Sequence, residues 1–197
     1  MTLLELAQKR RSCYALGNHI ALTPQQITEL VEQAVKQTPS AFNSQSARVL
    51  ILLDEQHQRF WSLIKTALQK IVPPENFAPT EEKITGFSKA VGTLLFYEDW
   101  SAVEALQHRF PLYKDYFPTW AYQANGMLEY LIWLALAEQN IGANLQHYNG
   151  LIDDEIARAF QVHGTWKLIA QMPFGNIIAP PAEKDFLPID MRVRVCE

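Results

Sequence analysis

The sequence lacks a long apolar run, a cysteine framework and an excess of basic residues. A membrane-spanning helix needs about 18 or more consecutive apolar residues, and no such run occurs. The N-terminus carries its charges after its apolar residues, which is the reverse of a signal peptide. Cys13 and Cys196 are far apart and form no CxxC motif, which disfavours a disulfide framework and a zinc cluster.

The charge balance is slightly acidic. The chain has 17 Lys and Arg against 21 Asp and Glu, a formal charge of −4. Phosphate backbones require a basic face, so nucleic acid is disfavoured as a partner. Together these absences predict a soluble, cytoplasmic protein with neither a membrane nor a nucleic acid partner.

Familiar catalytic motifs are also missing. The five histidines form no HxxH, HExxH or facial carboxylate pattern, so we predict no metal site, although His147 is the first position to consider. A Ser or Cys hydrolase is disfavoured because there is no GxSxG elbow and no activated cysteine. A nicotinamide Rossmann fold or a P-loop is unsupported without GxGxxG or a Walker loop.

Hydrophobic residues make up 48% of the 197 residues, enough for one domain over residues 1–197. Helical periodicity predicts helices over residues 3–10, 24–36, 99–110, 119–139 and 153–161, with further helices starting at Asp54 and Thr80. Short apolar runs predict strands over residues 48–53, 91–97, 143–146, 166–172 and 191–196. Residues 111–118 have no assigned element. Thr23 and Asp54 are expected to cap helices, and the alternation predicts a three-layer α+β or α/β domain.

The predicted helix over residues 119–139 is apolar almost all round at its centre. A surface helix of a monomer this size would carry a polar face, so this helix should be buried in the core or in a subunit interface. The sequence therefore also predicts a homodimer.

Two polar stretches are candidate binding sites. Gln146, His147, Tyr148 and Asn149 directly follow the most apolar part of the chain. The segment 10–12, Arg-Arg-Ser, offers two guanidinium groups and a hydroxyl that suit a phosphate, although a doubled arginine is usually a solvated face.

A third candidate is the loop that carries Asn43 and Gln45. Each amide both donates and accepts hydrogen bonds, as the edge of a flavin or a nucleobase requires. Both could equally be ordinary turn residues.

Taken in order, eight stretches resemble the nitroreductase-like flavoprotein family, in its smaller fungal and bacterial branch. They are RRS (10–12), PSAFNSQ (39–45), GTLLFYED (92–99), FPLYKD (110–115), FPTW (117–120), GANLQHYN (142–149), MPFG (172–175) and EKDFLP (183–188). The resemblance implies an α+β fold with three α-β-α layers, in which helices flank a central, mostly antiparallel sheet. It also implies a domain-swapped homodimer with FMN in two grooves at the interface.

The resemblance implies roles for particular residues. Arg10, Arg11, Ser12 and Tyr14 match the segment that holds the FMN phosphate and ribityl chain, and Lys184 matches the C-terminal phosphate-binding lysine. The loop with Ser40, Asn43 and Gln45 reaches the flavin, commonly from the partner subunit. The segment with Gln146, His147, Tyr148 and Asn149 lies against the isoalloxazine ring, where a backbone N–H bonds the nitrogen that accepts hydride.

Two positions depart from the family pattern. Phe186 stands where many relatives have a basic residue, which shifts phosphate binding toward Arg10 and Arg11. Gly150 stands where relatives of this branch often have proline, which loosens the loop.

The implied activity is an FMN-dependent NAD(P)H oxidoreductase. NADH or NADPH gives hydride to FMN and leaves, and a nitroaromatic, quinone or related acceptor is then reduced in ping-pong turnover. No side chain need act as a nucleophile, and Phe42, Tyr97, Trp120 and Tyr148 could wall the acceptor pocket. Two alternatives stay open: a flavin-binding regulatory or stress-response protein with little turnover, and a flavin-free domain that binds another phosphate.

Overall fold

Five strands form one sheet in the computed structural model, which describes residues 1–196. The strands are β1 Leu16–Gly17, β2 Ala47–Leu53, β3 Gly92–Asp99, β4 Ile141–Ala143 and β5 Trp166–Ile177. The order is β1-β5-β3-β2, β4 also pairs with β5, and every strand pair in this part of the chain is antiparallel.

Helices cover both faces of the sheet. They are α1 Leu3–Lys9, α2 Pro24–Gln37, α3 Asp54–Gln69, α4 Phe77–Ser88, α5 Trp100–Arg109, α6 Phe117–Glu138 and α7 Asp153–Phe160. Side chains of β3 alternate between two cores: Leu94 packs with α2 and α6, and Leu95 packs with α3, α4 and α7. The predicted α+β three-layer fold with a mostly antiparallel sheet is confirmed.

Local sequence signals set the helix starts. Thr23 caps α2 in a capping box with Gln26, and Pro24 takes the first helical position, as predicted. Asp54, by contrast, is not a cap. It is the first residue of α3, at a φ of 48°, and Leu53 precedes it without a side-chain hydrogen bond.

Several predicted strands differ from the structure. β4 covers residues 141–143 and not 143–146; Gln146 makes only an isolated bridge to Gln171. β5 continues through Pro173 to Ile177, because its residues beyond Met172 pair with β3, β4 and β1. β1 was not predicted, since two residues give no periodic pattern.

The predicted strand over residues 191–196 does not form within the single chain. A short 3-10 turn covers Ile189–Met191, and the following residues are exposed. A strand needs a neighbour that accepts and donates its backbone hydrogen bonds, and none of the described residues offers one here. Residues 111–118, left unassigned above, form a 3-10 turn at Pro111–Tyr113 and the start of α6.

α6 is the longest helix and lies in the core, as expected from its composition. Leu128, Ile132 and Leu136 are fully buried on the sheet side. Tyr122, Met127 and Tyr130 remain nearly half exposed on the other side. Within residues 1–196, no helix is both long and apolar enough to cross a membrane.

Candidate functional site

The segment with Arg10 to Tyr14 lies beside the end of β4. Ser12 forms a parallel bridge with Ala143, and Cys13 N donates to Ala143 O over 2.9 Å. The Asn144 amide donates to Cys13 O over 2.8 Å, and the Gln146 amide donates to Asn144 Oδ1 over 2.8 Å. The structure therefore brings together two of the predicted binding stretches, which are distant in sequence.

Arg10 and Trp133 present unpaired donors at this junction. The Arg10 guanidinium lies over the Trp133 ring, with 4.3 Å from Cζ to the ring centroid. Arg10 Nε and Trp133 Nε1 are both buried, and neither has an acceptor among the described residues. A buried donor without a partner costs about 1–3 kcal/mol, so this pair is suited to an anionic acceptor.

Arg11 has a different role from Arg10. Its guanidinium donates to the Ala182 carbonyl and so ties the C-terminal segment to the start of the chain. Lys184 follows two residues later and is exposed, with Nζ 5.1 Å from the ring centroid of Phe186. Phe186, the departure from the family pattern, therefore supports Lys184 by a cation–π contact.

Tyr14 borders a separate cavity of about 440 Å³ at the C-terminal end of α4. Its ring centroid is 6.4 Å from that of Phe87, and Lys83 and Lys89 also line the cavity. The sequence did not indicate these two lysines, because single lysines outside a motif carry no distinguishing signal.

The segment 146–149 is bonded to the interior through its polar groups. Gln146 is buried, and its amide is occupied by Asn144. The Asn149 amide is likewise occupied: Asn149 Oδ1 accepts from Gln171 Nε2 over 2.6 Å. Both amides, predicted to face a flavin ring, thus bond within the chain, whereas the His147 side chain is exposed. Sequence reasoning missed Asn144 and Gln171, which have no local signal.

The loop with Ser40, Asn43 and Gln45 lies elsewhere in the single chain. Ser40 Oγ accepts from Gln45 N over 3.0 Å, and both residues line a cavity of about 610 Å³ between α2, β2 and α6. The residues that line this cavity do not include Arg10 or any of residues 146–149.

This loop also carries backbone strain. Phe42, Asn43 and Gln45 have φ values of 54°, 53° and 48°, in the left-handed region that side chains disfavour. Such strain persists only where the surroundings enforce it, and it concentrates at binding sites.

Of the four aromatics expected at an acceptor pocket, two lie together. Phe42 is half exposed, and its ring centroid is 6.2 Å from that of Trp120, with further contacts to Phe110 and Phe117. Tyr97, in contrast, is 2% exposed in the core, where burial raises the pKa of its phenol.

Tyr148 also packs inward. Its ring stands edge-on to Trp61 at a centroid distance of 6.0 Å, and burial raises the pKa of its hydroxyl. Tyr148 therefore supports the segment 146–149 from the core side.

A buried histidine network anchors the end of α4 next to the Tyr14 cavity. His57 Nδ1 lies 2.9 Å from Thr93 Oγ1, and its Nε2 lies 3.2 Å from Ser88 O. Trp61 Nε1 donates to the same Thr93 hydroxyl over 2.9 Å. Ser88 O can only accept, so the neutral ring carries its proton on Nε2, and Nδ1 accepts from the Thr93 hydroxyl. Burial lowers the pKa of His57 to about 4.

Among residues 1–196, no group of three or more His, Cys, Asp or Glu side chains is placed to hold a metal ion.

Comparison with known proteins identifies the family. A model of the Nitroreductase family matches residues 7–176. The chain is 32% identical over 194 residues to HBN1 of Saccharomyces cerevisiae, whose own assignment as a nitroreductase is provisional; the match covers 98% of this chain and 96% of HBN1. The chain therefore belongs to the nitroreductase family and is an oxidoreductase.

Solved structures agree with this assignment. The nitroreductase CinD from Lactococcus lactis, in complex with chloramphenicol, superimposes with a TM-score of 0.91 at 38% identity over all of both chains. A nitroreductase with bound FMN from Desulfitobacterium hafniense superimposes with a TM-score of 0.71 at 16% identity, over 98% of this chain and 97% of that one. At 16% identity, the likeness to the Desulfitobacterium structure shows a shared fold only.

Proposed function

We propose that this protein is an FMN-dependent NAD(P)H oxidoreductase that reduces nitroaromatic, quinone or related acceptors. The observation that carries the proposal is the junction of residues 10–14 with residues 143–149, where Arg10 Nε and Trp133 Nε1 are buried donors without acceptors. A cofactor phosphate would supply the hydrogen-bond acceptor that both donors lack.

The remaining residues at the junction suit FMN. Arg10 would hold the phosphate together with Lys184, which Arg11 keeps near by its bond to Ala182. Ser12 would reach the ribityl chain. The FMN bound to the Desulfitobacterium relative supports the same cofactor here.

The cavity beside Tyr14 suits the pyrimidine edge of the flavin. Lys83 and Lys89 bring two positive charges to it, against one carboxylate from Glu82. Preorganised cations stabilise negative charge that builds up on a reduced ring, and this raises the driving force for reduction. Bound FMN would supply the two-electron chemistry, taking hydride from NADH or NADPH and passing it to the acceptor.

Aromatic acceptors suit the exposed surface formed by Phe42 and Trp120. A flat ring gains about 0.5–1.5 kcal/mol from stacking on such side chains beyond the area it buries. CinD has been solved with chloramphenicol and with 4-nitrophenol, both nitroaromatics, which supports this acceptor class. Because the cavity beside the Phe42 loop does not include Arg10 within one chain, the loop would serve the groove of a partner subunit.

A domain-swapped homodimer accounts for the separation of the Phe42 loop from Arg10 and for the exposure of the C-terminal segment. β2 is an edge strand whose outer side has no partner among residues 1–196. Met191, Val193 and Val195 are 60–75% exposed and alternate with arginines. This alternation is typical of a strand, but no sheet of the described chain pairs with it. We infer that residues 191–196 of each subunit add to β2 of the other, because this pairs both unsatisfied elements.

The dimer is tested by sedimentation at micromolar concentration. The full chain should sediment as a dimer, and a chain that ends at Pro188 should dissociate. A monodisperse monomer of the full chain would contradict the swapped dimer.

Steady-state kinetics test the activity. Initial rates with NADH or NADPH against a quinone or 4-nitrophenol should give parallel double-reciprocal lines, because donor and acceptor use the same groove in turn. Intersecting lines would contradict ping-pong turnover. A yellow protein that turns over negligibly with either donor would favour the regulatory or stress-response alternative.

A further inference from the structure

Gln171, at the centre of β5, binds the segment 146–149 through all four of its polar groups. Its backbone exchanges two hydrogen bonds with Gln146, over 2.7 and 2.9 Å. Its side-chain Oε1 accepts from Tyr148 N over 2.7 Å, and its Nε2 donates to Asn149 Oδ1 over 2.6 Å. Gln171 is 0% exposed, so its own polar groups have no access to water and depend on these partners.

This arrangement selects one backbone donor. The N–H groups of Gln146 and Tyr148 both bond to Gln171. The N–H of His147, between them, has no acceptor in residues 1–196, and the His147 side chain is exposed. Successive N–H groups of an extended segment point in opposite directions, so the His147 N–H points away from β5.

We propose that Gln171 is a positioning residue of the cofactor groove, whose buried carboxamide holds residues 146–149 so that the His147 backbone N–H is presented to the flavin. The proposal rests on the FMN-dependent function proposed above. The resemblance implies that a backbone N–H of this segment meets the flavin; the new element is the role of the Gln171 side chain in holding that N–H in place.

The chemistry of the side chain explains why a carboxamide is suited to this position. A carboxamide offers one acceptor and one donor, which match Tyr148 N and Asn149 Oδ1. A hydrophobic side chain of the same length would leave the Tyr148 N–H and Asn149 Oδ1 without this partner. Gly150 follows directly at a φ of 78°, and a glycine restrains the neighbouring backbone less than another residue would, so the bonds to Gln171 contribute to holding this segment.

The test compares Gln171→Met with two control variants by amide hydrogen exchange and FMN titration. In wild-type apoprotein, the Tyr148 N–H should exchange slowly and the His147 N–H rapidly, and FMN should slow the exchange of His147. In Gln171→Met, Tyr148 should exchange at least tenfold faster, and the FMN dissociation constant should rise about tenfold, the equivalent of one lost hydrogen bond of about 1.4 kcal/mol.

The controls separate positioning from general core damage. Asn125→Leu removes a fully buried amide from α6, which bonds Glu98 and Tyr97. It should lower the melting temperature but leave the FMN dissociation constant within about twofold. His108→Ala changes an exposed side chain on α5, outside the groove, and should likewise leave FMN affinity within about twofold.

Two outcomes would overturn the inference in different ways. If Gln171→Met binds FMN as tightly as the wild type and FMN still protects His147, Gln171 does not position the groove, although the FMN function stands. If the wild-type protein takes up no FMN, the proposed function fails and the role of Gln171 toward the flavin fails with it.

Discussion

Acidification from pH 7 to pH 5 should destabilise the folded protein by about 2 kcal/mol through one buried side chain, His57. Burial lowers its pKa from 6.5 to about 4, and its ring nitrogens lie against Thr93 and Ser88. The unfolded chain therefore binds a proton at a pH where the folded protein does not. This contribution to stability is fully present above pH 6.5 and is lost as the pH falls toward 4.

The magnitude follows from the two pKa values. Each pKa unit corresponds to 1.36 kcal/mol, so the complete loss is roughly 3 kcal/mol, of which about 2 kcal/mol has occurred by pH 5. Glu129 acts in the opposite direction, because burial raises its pKa to about 7 and the folded protein then takes up a proton on acidification. The pH dependence of wild-type stability alone therefore does not isolate the contribution of His57.

Urea unfolding of apoprotein at fixed concentration, for the wild type and His57→Gln, isolates the histidine. A glutamine can accept from Thr93 and donate to Ser88, but it does not titrate. Between pH 7 and pH 5, the wild type should lose about 2 kcal/mol of unfolding free energy relative to His57→Gln. The exposed His19→Gln serves as the control and should follow the wild type at both pH values. A constant difference for His57→Gln would refute the reasoning.

Three further substitutions test the site and the fold. Arg10→Ala should raise the FMN dissociation constant about 10- to 100-fold in a fluorescence titration, because it removes a charge-assisted donor to the phosphate. The control Arg59→Ala on α3 should leave the dissociation constant unchanged. Equal FMN affinities of Arg10→Ala and the wild type would argue against the phosphate site. His147→Ala should stay yellow and keep most of its turnover, and inactive protein with FMN still bound would show that the imidazole acts in catalysis. Gly175→Ala places a Cβ 2.0 Å from Gly17 O and should lower the unfolding free energy by about 1–3 kcal/mol in urea; unchanged stability would contradict the close packing of β1 on β5.

Local chemistry explains which parts of the fold were predictable. The α2 start was readable because Thr23, Pro24 and Gln26 form the cap within four residues. The predicted strand at residues 191–196 does not form in the described chain, because no described residue offers it backbone hydrogen-bond partners. The start of α3 was misassigned because an aspartate is compatible with a cap and with a strained first turn alike.

The candidate site was predictable only where motifs mark it. Arg10 and Ser12 were found through the arginine pair, and residues 146–149 through their clustering of polar side chains. Gln171 and Trp133 were missed because their roles depend on contacts with residues far away in sequence. The same limit explains why the amides of Gln146 and Asn149 were expected to face a ligand, although their partners lie inside the protein.

The visible spectrum of the purified protein under anaerobic conditions tests the central claim most directly. After incubation with FMN and removal of free flavin, the protein should show flavin absorption, bleach on addition of NADH or NADPH, and recover its colour with a quinone. A colourless protein that retains no FMN, or a yellow protein that neither nicotinamide bleaches, would contradict the proposed oxidoreductase.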